Sequence, residues 1–118
     1  GTLSPKVDYG LPAQEVAFGY PANTAETALL LAVAPQYCDM STAVCDYAGN
    51  ITDPGELRAE RAPATMAWIT SDLSKSGIMG DATVGTAEKG REWVDLSAKA
   101  MANYIAEVGR SGRRALSV

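Results

Sequence analysis

The feature that most limits how this chain can fold is a stripe. Val94, Ala98, Met101, Ile105 and Val108 recur at intervals of four and three residues. That period puts all five on one face of an α-helix, and such a face needs another layer to bury it. The pattern predicts a helix from about Thr86 to Val108, capped by Thr83 or Thr86 and stopped by Gly109, with Trp93, Ser97, Ala100 and Tyr104 on an adjoining face. A second helix is signalled by the run Ala28-Leu29-Leu30-Leu31-Ala32-Val33-Ala34, made largely of the strongest helix formers and ended by Pro35. Strands are scarce by comparison. Thr65–Thr70, between Pro63 and Ser71-Asp72, reads as a short strand, and Glu15–Phe18 as a weaker one. So few strands cannot complete a layered domain. The chain therefore reads as part of an α/β domain.

The remaining segments are connections. Residues 1–20 are broken by glycine and proline and show no sustained period, so they read as an extended arm. Turn chemistry recurs at Asp53-Pro54-Gly55, and residues 109–118, with Arg110, Arg113 and Arg114, form a flexible basic tail. With 118 residues and no internal repeat, the whole of 1–118 is one unit.

Charge and residue usage narrow the function classes. A net charge of −4 and a pI near 4.7 leave no basic stripe to neutralise phosphates, which argues against a nucleic-acid partner. No run approaches the ~18 apolar residues of a membrane span, and no signal-peptide pattern opens the sequence. A cytoplasmic protein with Cys38 and Cys45 as reduced structural cysteines is the expectation, with a single disulfide in an exported protein as the alternative. The sequence contains no histidine, and so lacks the commonest general base near neutral pH and a frequent transition-metal ligand. That argues against a self-contained zinc hydrolase or serine–histidine hydrolase. Any catalysis has to use carboxylates, hydroxyls, a lysine or groups lent by another chain.

Glu26 is the carboxylate that poses a question. Asn23 is a good N-cap for the Ala-Leu helix, and Glu26 stands three residues later, where a capping box places an acid. It either caps the helix or faces a substrate. The loop from Gly77 to Gly90 is glycine-rich, but its spacing is neither GxGxxG nor that of a P-loop. It reads as a tight entry into the last helix, and Asp72, Asp81 and Glu88 near it as solvated loop carboxylates. Thr2, near the start, raises a third idea, an N-terminal nucleophile that would require removal of Gly1.

Two separated stretches carry a resemblance. "NTAETALLLAVAPQYCDMSTAV" resembles the segment of the creatininase (creatinine amidohydrolase) family in which a Glu-Thr pair opens an apolar helix followed by proline. "SGIMGDATVGTAEKGREWVDLSAKAMANYI" resembles the same family's C-terminal signature, a Gly-x-x-Gly-Asp loop leading through Thr-Ala-x-x-Lys-Gly into the last helix. The resemblance implies the C-terminal half of a three-layer α/β/α domain, completed by another chain. It implies a metal-dependent hydrolase of C–N bonds in small cyclic amides, using zinc or manganese held mainly by an N-terminal partner chain, in an oligomer. Glu26 matches the glutamate of the motif His-Gly-Gly-x-x-Glu-Thr and is the catalytic candidate. Tyr20 and Asn23 are substrate-binding candidates, and Gly80-Asp81 would support the helix entrance. The motif histidine falls at Pro21, and its glycines at Ala22 and Asn23. Either the chemistry has changed, or the chain is a non-catalytic assembly subunit that keeps the packing.

Overall fold

A computed structural model describes residues 7–52, 55–60 and 62–115, with side chains as far as Ser111. Thr2, the first six residues of the expected arm, the Asp53-Pro54 half of the expected turn and the side chains of Arg113 and Arg114 lie outside the described residues. In chain order the elements are α1 (Ala13–Phe18), α2 (Thr24–Val33), β1 (Cys45–Asp46), β2 (Leu57–Arg58), β3 (Ala64–Thr65), α3 (Thr70–Leu73), β4 (Gly80–Asp81) and α4 (Ala87–Ala115). This mixture of helices and short strands is that of an α/β protein. Strands β1 and β4 pair antiparallel, with Cys45 opposite Asp81 and Asp46 opposite Gly80. Strands β2 and β3 pair parallel, with Leu57 opposite Ala64 and Arg58 opposite Thr65. Among the described residues no larger sheet forms.

Helices α2 and α4 make the most extensive contact in the molecule, and small residues allow it. Gly90 lies so close to α2 that a Cβ there would stand 1.9 Å from the Ala28 carbonyl oxygen. Ala25 and Ala28 pack with Trp93 of α4, 4% exposed, and Tyr9 stacks on Trp93 at 5.1 Å while its hydroxyl meets Ser97 Oγ at 2.6 Å. A second small core joins Tyr20, Ala59 and Met79, with Trp68 and Leu73 against it. Thr86 caps α4, its Oγ1 accepting the Lys89 N–H at 3.3 Å.

Three expectations need correction. Glu15–Phe18 is helical, not extended, so the 1–20 arm contains a helix. Six residues are too few to show a period, and α1 is fixed by tertiary bonds to Glu15 that the sequence does not display. Of Thr65–Thr70 only Thr65 is strand, while Thr70 opens α3. Gly109 does not stop α4, which runs on to Ala115; it is not among the glycines with positive φ, so no terminating turn forms there. The expected tail is thus helical over residues 109–115.

The stripe that opened the sequence reading stands apart from this packing. The buried side of α4 is the Gly90–Trp93 side, whereas Val94, Ile105 and Val108 are 37%, 55% and 47% exposed. The predicted apolar face exists, half-buried at Met101 and largely uncovered at Ile105 and Val108 among the described residues. The whole molecule reflects this openness. Its radius of gyration is 17.1 Å, against about 13.5 Å for a compact domain of this length. Its accessible surface is 8180 Å², against about 6,100 Å² for a folded monomer of this mass.

Candidate functional site

The site is built on the entrance to α2. Asn23 takes the N-cap position, its Oδ1 accepting the Glu26 backbone N–H at 2.9 Å. Glu26 reaches back one residue further than a capping box requires, and its Oε2 accepts the Ala22 N–H at 2.6 Å. The neighbouring Thr27 hydroxyl donates to the Ala22 carbonyl at 3.3 Å. The Glu-Thr pair therefore clamps both backbone polar groups of one residue. That residue is the one that needs holding, because Ala22 adopts a φ of 59°, in the left-handed region where a Cβ is unfavourable. Here the motif places a glycine and this chain an alanine.

The loop ahead of α2 lies against Met79 and β4, inside the glycine-rich segment. Tyr20 N–H donates to the Met79 carbonyl at 2.8 Å, and Met79 N–H to the Pro21 carbonyl at 3.0 Å. Thr24 Oγ1 donates to the Asp81 carbonyl at 2.7 Å. Gly80 has a φ of 138°, and a Cβ on it would come within 2.8 Å of Asn23 Cβ. Gly80 and Asp81 thus sit directly against the α2 entrance, where the sequence reading placed their support.

The three candidate residues do not meet at one cavity. Glu26, with Thr27, Tyr37, Cys38 and Asp39, lines a cavity of about 160 Å³, small beside the ~300–1,000 Å³ of ordinary ligand pockets. Asn23 borders a neighbouring cavity of about 530 Å³ that Asp8, Tyr9 and Glu15 share. Tyr20 is 7% exposed and stacked on Trp68 at 6.0 Å, with its hydroxyl donating to the Ala17 carbonyl. It lies in the core.

The residue that sequence reasoning missed is Glu15. It is 1% exposed, and its carboxylate accepts Thr24 N–H at 2.6 Å, the Tyr47 hydroxyl at 2.7 Å and Asp81 N–H at 3.0 Å. These partners are far apart in the chain, so no local pattern could have shown them. Burial, then the hydrogen bond and charge of Glu15, push the Tyr47 phenol well above its ordinary value. Partial desolvation, followed by the charges of Asp81 and Glu15, also raises the exposed Cys45 thiol above its ordinary value. In the smaller cavity, the Ser41 hydroxyl and then its N–H hold the Asp39 carboxyl below its ordinary value.

The described residues do not fit a metal centre of their own. The sequence offers no histidine, and among the described residues no group of three His, Cys, Asp or Glu side chains is placed to hold an ion. Both cysteines are free. No helix among the described residues is long and apolar enough to cross a membrane.

Searches among curated proteins and among solved structures gave no match. A family model did. The model described as creatininase, creatinine amidohydrolase, matches residues 6–105, which take in the α2 entrance, the glycine-rich loop and most of α4. By that match over most of its length, the chain belongs to the creatininase family.

Proposed function

We propose that this chain is one part of a creatininase-like amidohydrolase that hydrolyses a C–N bond in a small cyclic amide. The other part is a partner chain with the N-terminal half of a three-layer α/β/α domain, which supplies the ligands for a divalent metal, zinc or manganese. Family membership supports the reaction class. The missing histidines, the absence of a metal-holding group among the described residues and the largely uncovered stripe on α4 support the division into two chains.

The observation that carries the reading is the Glu26–Thr27 clamp on Ala22. It keeps the Glu-Thr pair of the family motif in a built arrangement and holds Glu26 at the rim of a cavity too small to be a whole site. In this reading Glu26 orients the substrate or a proton-carrying group, Asn23 fixes the backbone of Glu26, and Tyr20 fixes the loop from the core side. The protein acts in the cytoplasm. A second reading, a non-catalytic assembly subunit, is favoured by one observation: Pro21 stands where the motif has its histidine.

The test is native mass spectrometry with metal analysis on material purified from its source, followed by Glu26→Gln in that assembly. Glutamine keeps an oxygen for the Ala22 N–H and removes the charge. A metal-bearing complex with a histidine-containing second chain is expected. Turnover of a panel of small cyclic amides, beginning with creatinine, should then fall by about 10² or more in Glu26→Gln. A metal-free assembly of this chain alone sinks the enzyme reading, and a Glu26→Gln variant as active as its parent removes Glu26 from the reaction.

A further inference from the structure

We propose that Glu15 is the positioning residue of the Glu26 loop, an inference that rests on the reading of Glu26 given above. A carboxylate buried to 1% exposure normally incurs a large desolvation cost unless donors surround it. Here three donors do, and they come from three places: the first helical N–H of α2, the Tyr47 hydroxyl and the Asp81 N–H of β4. The Thr24 N–H is one of the orphan donors at a helix start, where negative charge is also favoured by the helix dipole. Glu15 thus ties Thr24 to Asp81 through their two backbone N–H groups, beside the direct bond from the Thr24 hydroxyl to the Asp81 carbonyl.

The separation of Thr24 from Asp81 sets where the loop lies. Residues 20–23 are suspended between these two points, bonded to Met79 through Tyr20 and Pro21 and pressed against Gly80 through Asn23. Packing leaves no slack for a compensating shift. A Cβ on Gly80 would already stand 3.0 Å from Glu15 Oε1, and one on Gly19 3.1 Å from Glu15 Cδ. Movement of Thr24 relative to β4 therefore has to pass into Ala22 and Asn23, the two residues that hold Glu26. Glu15 touches neither the small cavity nor Glu26, so it acts through the backbone.

Glutamine at this position is close in shape but wrong in polarity. Its NH₂ group faces a donor wherever it points, leaving at least one of Thr24 N–H, Tyr47 hydroxyl and Asp81 N–H without an acceptor. Tyr47→Phe is the control, since it removes one donor and leaves both backbone N–H groups bonded.

The experiment compares amide spectra and hydrogen exchange of the full chain, in its native assembly, for the parent, Glu15→Gln and Tyr47→Phe. Glu15→Gln should displace the Ala22 and Glu26 amide resonances and speed exchange over residues 20–27 by about tenfold. Exchange over residues 88–96 and the spectrum of Tyr47→Phe should stay near the parent. A uniform rise along the chain would show a residue that only stabilises, and unmoved Ala22 and Glu26 resonances would show no coupling; either overturns the proposal. Should Glu15→Gln fail to fold, Glu15→Asp keeps the charge on an arm too short to span both N–H groups, and the same localised signature is required of it. Neither readout depends on turnover. A localised response with full activity in Glu26→Gln keeps the role of Glu15 and rejects the catalytic reading of Glu26. No response with a loss of activity in Glu26→Gln does the reverse.

Discussion

The two ends of α4 live in different surroundings. Its first turns lie in the best-packed part of the chain, with Gly90 against the α2 backbone and Trp93 between Ala25, Ala28 and Tyr9. Its later turns carry Tyr104, Ile105 and Val108 at 42%, 55% and 47% exposure. One helix therefore meets its own chain with a small-residue face and carries an apolar stripe that the described residues leave largely uncovered. The difference teaches where the fold is self-sufficient. The α1–α2–β4 junction closes its polar groups internally, whereas the distal half of α4 has apolar surface whose burial stabilises nothing until something covers it.

The contrast is broken most severely at Gly90. Helix propensity alone would favour alanine there by about 1 kcal/mol. The built Cβ stands 1.9 Å from the Ala28 oxygen and 2.5 Å from its carbonyl carbon, both backbone atoms that cannot rotate away. Overpacking of this kind costs about 3 kcal/mol and forces the helices apart. Gly90→Ala should therefore lower stability by about 2 kcal/mol net in chemical denaturation, after the propensity gain. A stabilised variant would show that α2 and α4 do not pack as described.

How much of this was legible in the sequence follows from the range of the interactions. Both long helices were, because period and composition act within a few residues; so were the Asn23 cap and, as one of two candidates beside Thr83, the Thr86 cap. The stripe was legible as a pattern, and so was its need for a covering layer, but not what supplies that layer. Periodicity tells which side of a helix is apolar, not which partner is present. The burial of Trp93 depends on Tyr9 and Ala28, both more than 60 positions away in the chain. Glu15 escaped for the same reason, with bonds to Tyr47 and Asp81 spanning 32 and 66 positions. At the candidate site, Glu26 and Asn23 were legible as a cap, but the clamp on Ala22 was not, since a left-handed φ at alanine leaves no mark in composition. Tyr20 was assigned to a pocket because it adjoins the motif, yet its ring turns into the core beside Trp68.

The junction can be sharpened at Ala22. Left-handed backbone costs a residue with a Cβ about 1–2 kcal/mol, and glycine escapes that cost while giving up some unfolded-state entropy. Ala22→Gly should raise stability by up to about 1 kcal/mol, read as a small rise in melting temperature. The Glu26 amide should keep its resonance, since both clamp bonds are made to backbone groups. A loss of stability would mean that Ala22 is not held at the positive φ that the clamp implies.

The smallest effect on the chain itself comes from the other region, and it bears most directly on the proposed partner. Ile105 is more than half exposed, so Ile105→Asp removes little burial and adds a charge already in water. Stability of this chain by itself should change by no more than about 0.5 kcal/mol. Assembly is another matter. If a partner chain covers the stripe, an aspartate at its centre becomes a desolvated, unpaired carboxylate, and such a group costs several kcal/mol unless it is paired or neutralised. The expected outcome is a chain that melts like its parent but no longer co-purifies with a second component by native mass spectrometry. Asn103→Asp, exposed on the opposite face of α4, should leave the assembly intact. Equal retention in both variants would place the partner's contact elsewhere on the molecule, and the exposed stripe would then be a property of this chain, with no role in joining it to another.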